Sequence, residues 1–176
     1  MELTDLAPLE AWAQIEKESF KKFNLQSSVF NTDGIRITDT KNWANKICPE
    51  IKSTDKGQSF ICATAHMNLA NQARQTKKPV IEECDAGLVK IVIPIFIDDE
   101  FLGAAGGCGL LLEGGEVDLF SINKITDIDE TIIEKLSEEI PVIPTQTAET
   151  IRDFFMKKVN TLVSKYQETI NSPVLF

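Results

Sequence analysis

Four cysteines (Cys48, Cys62, Cys84 and Cys108) and one histidine (His66) are the side chains of this chain best equipped for chemistry. Thiolates bind soft metals and iron–sulfur clusters, and paired thiols interconvert with a disulfide. The cysteine spacings of 14, 22 and 24 residues match no zinc finger, zinc ribbon or ferredoxin run, all of which need local cysteine pairs. A metal or cluster site would therefore need four separate elements to converge. The plain alternative is that the thiols fill space in the core, as free cysteine often does. His66 follows Cys62 by four positions, so both share one side of a helix, and Leu69 and Ala73 continue that face. The pair is expected to point inward. The imidazole is then either a hydrogen-bonded core group or a ligand or proton-transfer group in a pocket.

Enzymatic signatures are missing. A Cys–His nucleophile pair could use only Cys62 or Cys84 with His66, and no third group is there to orient it. The acidic runs Glu82-Glu83, Asp98-Asp99-Glu100 and Glu138-Glu139 read as solvated charge at a turn and at helix ends rather than as paired catalytic carboxylates. The chain has no phosphate-binding loop motif and no nucleophile elbow. The run Gly103 to Gly109 precedes no helix, so it does not suit phosphate. No catalysis is expected.

The positioning elements follow from periodicity. A first helix spans about Pro8 to Phe23, with Leu9, Trp12, Ile15, Ser19 and Phe23 at helical spacing and Pro8 in its first turn. Asp33-Gly34 marks a hairpin turn between Ser27–Asn31 and Gly34–Thr38. A looser stretch, Asp39 to Gly57, holds Cys48 and Trp43, whose indole either caps the pocket or packs beneath the loop. Ser59 is the expected cap of a helix running to about Gln75, and Val80 to Cys84 is a short strand. Leu88–Ile97 and Phe101–Leu112 are the arms of a central hairpin. The second arm carries Gly103-Ala104-Ala105-Gly106-Gly107-Cys108-Gly109, and so many small residues imply a close approach to the backbone. Thr126 to Ile140 is expected to be a helix opening on Thr126-x-x-Asp129, and Ala148 to Asn171 a long final one. The order gives an α+β fold: a PAS- or GAF-like antiparallel sheet flanked by helices. Residues 1–145 would form the domain and 146–176 a signalling or dimerisation helix.

The 176 residues suit one domain. A formal charge of −9 argues against a nucleic-acid partner, which calls for a basic patch, and against an anionic membrane surface. The longest strongly apolar run, Gly87 to Ile97, is far shorter than a membrane span. The acidic start Met1-Glu2-Leu3-Thr4-Asp5 has no apolar core of a secretory signal. A cytoplasmic location follows, and there cysteines are thiols, ligands or redox centres rather than structural disulfides.

Cys84-Asp85-Ala86-Gly87-Leu88, then Ile93-Pro94-Ile95-Phe96-Ile97 and Leu102-Gly103, resembles the core signature of the PocR-type sensory domain. Cys48, and Cys62 in a helix ending near Lys78-Pro79-Val80-Ile81, are similar to the same family, as are the two closing helices. The likeness covers roughly Leu9 to Ile170. It implies a PAS-like sensor of small molecules, with hydrocarbon derivatives such as diols as ligands, placed ahead of an output domain. Two positions depart from the pattern: Asp85 stands where the family has His, and Cys108 where a Gln is expected. The second adds a fourth thiol at the expected pocket. The expected function is a cytosolic sensory domain of signal transduction. Its ligand site is assigned to Cys62, His66, Cys84, Gly103, Ala105, Gly107 and Cys108, between the sheet and the Ser59–Gln75 helix. The alternatives are an iron–sulfur cluster, or zinc, on Cys48, Cys62, Cys84 and Cys108, and a dithiol switch. The expected partners are the ligand and an output protein or second copy met through the last helix.

Overall fold

A computed structural model describes residues 1–171. Its elements are α1 (Leu3–Leu6), α2 (Leu9–Phe23), β1 (Gln26–Asn31), α3 (Ile47–Ser53), a π-helical segment (Gly57–Ala63) that continues as α4 (Thr64–Thr76), β2 (Val80–Glu83), β3 (Val89–Ile97), β4 (Glu100–Leu112), α5 (Leu119–Thr126), α6 (Glu130–Ser137), β5 (Val142–Ile143) and α7 (Thr145–Asn171). The fold is α+β, as the sequence implies.

The sheet runs β1-β4-β3-β2, all antiparallel, and β5 adds to the end of β4 in parallel. β4 is the centre, and its glycines explain how. Gly106 faces the backbone of Ile91 so closely that a Cβ would collide with that carbonyl. Gly103, at φ +148, leaves no room for a Cβ beside the Phe30 carbonyl. The small residues thus let β1 and β3 approach the central strand closely on both sides.

Both sheet faces are covered. Val29, Ile91, Ile93, Ile95, Ala105 and Leu110 pack under α1, α2 and α7, with Trp12 and Phe155 as the largest fully buried side chains. On the other face, Leu69, Ala70 and Ala73 of α4 lie on Val80, Val92 and Ala104. A further apolar cluster joins Ile47, Ile51, Ile61, Leu88, Ile122 and Ile133, tying α3, the π-helical segment, α5 and α6 to one end of the sheet. Burial on both sides is why β3 reads as a nearly unbroken apolar run.

Several expectations need correcting. The hairpin around Asp33-Gly34 is short, a single bridge of Phe30 with Arg36 flanked by the Asn31 N–H donating to Ile35 at 2.9 Å and the Ile37 N–H to Val29 at 3.0 Å, while the other edge of β1 pairs along β4. Cys48 lies on a helix, α3, not in a loop. Ser59 caps nothing, since helical structure is already under way at Gly57. Leu9 is exposed, and its place on the inner face of α2 goes to Glu16. Thr126 closes α5 instead of opening a helix. The cap of α6 is Asp129, whose carboxylate accepts from the Thr131 N–H at 2.8 Å. The first half of α7 (Ala148, Ile151, Phe155 and Val159) belongs to the main core.

Candidate functional site

The second sheet face leaves a hollow of about 560 Å³ between β1, the end of β4, α3 and the π-helical segment. All four cysteines line it. Each comes from a different place: Cys48 from the first turn of α3, Cys62 from the π-helical segment, Cys84 from the turn after β2, and Cys108 from β4. None is in a disulfide.

Local sequence explains each placement. Asn45 holds the start of α3: its side-chain carbonyl accepts from the Cys48 N–H at 2.7 Å, and its amide donates to the Cys48 Sγ at 3.3 Å and to the Gly109 carbonyl at 2.7 Å. The stretch Cys84-Asp85-Ala86-Gly87-Leu88 is a tight reversal closed by Cys84 N–H donating to Leu88 at 2.8 Å and Gly87 N–H to Cys84 at 2.8 Å. Gly87 sits at φ +82 against the Glu116 carbonyl, so no other residue suits that position. On the sheet, the Gln26 amide donates to the Cys108 Sγ at 3.3 Å, across the paired register Gln26–Cys108. The π-helical segment widens the turn that carries Cys62, and Gly57 permits it by lying against the Ile51 carbonyl. Such insertions recur at functional sites.

Burial sets the protonation states. It pushes the Cys48 thiol far up, with Cys108 the next cause and the Asn45 amide opposing. Burial pushes Cys62 up to about 11 while Lys52 pulls the other way. Cys84 is raised by burial and by Cys108, against the N–H groups of its own turn. The thiols are near enough to disfavour one another's ionisation. His66 is pushed down to about 3, first by burial and then by Lys90 and Lys52, and its ring lies 3.8 Å from that of Phe30 at a tilt of 31°. It is a neutral, stacked imidazole at neutral pH.

The structure thus brings together Cys48, Cys62, His66, Cys84 and Cys108 around one hollow. It does not bring Gly103, Ala105 and Gly107 there. A strand alternates its faces. On β4 it is Ala104, Gly106 and Cys108 that share the cavity side with Gln26, Ser28 and Phe30, while Gly103 faces Leu3, Ala105 lies in the core under α2 and α7, and Gly107 abuts Leu25. Of the expected ligand set, Cys62, His66, Cys84 and Cys108 line the hollow. Among the described residues, no three His, Cys, Asp or Glu side chains are grouped so as to share one metal ion.

Other lining residues lay outside the sequence reading. Arg36, Lys41, Lys52 and Lys90 border the hollow, against a single carboxylate, Asp33. Arg36 is held by Glu16, a buried carboxylate that also accepts from Thr38 Oγ1 at 2.6 Å and the Val29 N–H at 3.1 Å. Lys52 Nζ lies 5.5 Å from the Trp43 ring, so the indole borders the cavity mouth, half-exposed. Only Asn45-x-x-Cys48 carried a local signal that could have been read, an amide three residues before a helix-start thiol. The cations are scattered along the sequence and meet only on folding.

An antiparallel α+β domain with a one-sided hollow under covering helices is the class that fold and site define. A family model described as the sensory domain found in PocR matches residues 5–167, and the chain belongs to this family. No curated protein and no solved structure matches it. Among the described residues, no helix is long and apolar enough to cross a membrane.

Proposed function

We propose that this chain is the sensory input domain of a signal-transduction protein and that its ligand occupies the hollow lined by Cys48, Cys62, Cys84 and Cys108. The observation that carries the reading is the hollow itself: about 560 Å³, the size of a small-molecule site, in a chain of a sensory family. The walls mix apolar side chains with a few placed polar groups. The site offers no nucleophile paired with a base: burial raises Cys48, Cys62 and Cys84, and His66 is neutral and stacked on Phe30. Its work is therefore binding rather than catalysis.

Occupancy would bias the domain between two arrangements. The π-helical segment touches the hollow and leads directly into α4, so it is the element an occupant would move. The distal part of α7, where Leu162, Val163 and Tyr166 are half-buried and Ile170 is exposed, is the surface offered to an output partner or a second copy. A dithiol switch is the weaker reading. Buried thiols with raised pKa values supply little thiolate, and thiolate is the species that starts disulfide exchange.

The test is a thermal-shift panel of short diols and short carboxylates on the full chain, alongside Ser28→Phe, which fills the hollow from β1. At least one compound should raise the unfolding temperature of the native chain and not of Ser28→Phe, or the protein should emerge from anaerobic purification with a bound cofactor that Ser28→Phe lacks. A native chain that responds to no compound and carries no cofactor overturns the reading.

A further inference from the structure

Resting on the reading that this hollow is the sensory site, we propose that its occupant is a [4Fe–4S] cluster ligated by Cys48, Cys62, Cys84 and Cys108. The first support is convergence: four elements far apart in sequence each deliver a thiol to one hollow. The second is that protein N–H groups are aimed at the sulfurs. Asn45 donates to Cys48 at 3.3 Å and Gln26 donates to Cys108 at 3.3 Å. A thiol that only fills space needs no donors. A thiolate bound to iron gains from each one, and such bonds help set a cluster's potential.

The third support is charge. The chain carries a formal −9, yet the hollow is bordered by four cations and one carboxylate. A [4Fe–4S]²⁺ core with four thiolates is a net anion, and Lys52 and Lys90 are two of the cations that border the hollow. A single zinc ion would require the sulfurs about 2.3 Å from one point, and the described residues hold no such group. A cluster places each sulfur on a different iron and so needs a wider spread. Ile51, Ile61 and Leu88 supply an apolar wall on one side of it.

Insertion is ligand exchange without electron transfer. Each thiol gives its proton to solvent and forms one sulfur–iron bond to a preformed [4Fe–4S]²⁺ core, and the carrier's ligand at that iron leaves.

The experiment is anaerobic purification of the full chain, followed by reconstitution with iron and sulfide. Visible absorption, acid-labile sulfide and iron are measured for the native chain, for Cys48→Ser, Cys62→Ser, Cys84→Ser and Cys108→Ser, and for Lys90→Met. The expected result is a brown protein with about four irons and about four sulfides per chain, bleaching in air. Each serine variant should lose most of the colour while far-UV circular dichroism shows it folded. Lys90→Met should keep the cluster at a more negative potential, because a cation that favours the reduced form is gone. A folded native chain that takes up no iron and no sulfide overturns the proposal, as does a cluster retained in full by all four serine variants. If short diols or carboxylates still shift its unfolding temperature, the cluster falls and the sensory hollow stands. If an organic anion alone binds, the cations serve that ligand instead.

Discussion

At the scale of single residues, the protonation of the cavity is set by what surrounds each group. His66 is buried, stacked on Phe30 and near two lysines, and its pKa falls to about 3 from an ordinary 6.5. The folded state therefore disfavours the proton. Between those two values the unfolded chain binds more protons than the native one, so this contribution to stability is complete above pH 6.5 and is lost as pH falls toward about 3. The expected outcome is an imidazole that shows no titration by NMR between about pH 5 and 8. Replacement by Phe should leave a chain whose stability declines less steeply on acidification. A midpoint for His66 near the ordinary value would show that the ring is solvated. Gly87 makes the other residue-scale case. Gly87→Ala places a side chain at φ +82 against the Glu116 carbonyl. A loss of roughly 1–3 kcal/mol in urea unfolding is expected, together with faster alkylation of Cys84 as its turn opens.

At the scale of elements, β4 decides which residues meet the cavity. Gly103, Ala105 and Gly107 face the core and Cys108 the hollow, a consequence of the two-residue period, while Ala104 lies under α4. The two faces give opposite results in mutagenesis. Gly107→Val meets Leu25 and the Gln26 carbonyl and is expected to destabilise the fold by about 1–3 kcal/mol without altering thiol accessibility. Cys108→Ala, on the other face, should change the accessibility of the remaining thiols while costing less stability. Equal effects from the two variants would contradict the register. The π-helical segment is the other informative element. Helical spacing alone puts Cys62 and His66 on one side, and both do line the hollow. The widened turn, which no periodicity announces, is made by packing of Gly57 on the end of α3, where its N–H donates to Thr54 Oγ1 at 2.9 Å.

At the scale of the whole molecule, the two sheet faces divide the labour. One is a core: α1, α2 and α7 close over Trp12 and Phe155, and the Trp12 indole N–H donates to the Leu3 carbonyl at 3.1 Å. The other is partly open and holds the hollow. Trp12→Ala should therefore cost about 3–5 kcal/mol, read by chemical unfolding, with any loss of ligand or cofactor appearing only as the chain unfolds. Removing the chain beyond Val159 should leave the fold largely intact, since the fully buried residues of α7 end there. Removing it before Phe155 should abolish folding. These two truncations separate the part of α7 that builds the domain from the part free to carry a signal.

The sequence by itself determined the class of fold, the central hairpin, the long last helix, the inward pairing of Cys62 with His66 and the resemblance that led to the family. Those features depend on local periodicity and on short motifs, which neighbours along the chain specify. The tertiary structure decided the rest: that Cys48 rides a helix, that β1 pairs along β4, which face of the glycine-rich strand looks into the hollow, and that Arg36, Lys41, Lys52 and Lys90 gather beside four thiols in an acidic chain. Each of these turns on contacts between residues remote in sequence. Pairing partners, strand register and the summed field of scattered charges exist only once the sheet has closed.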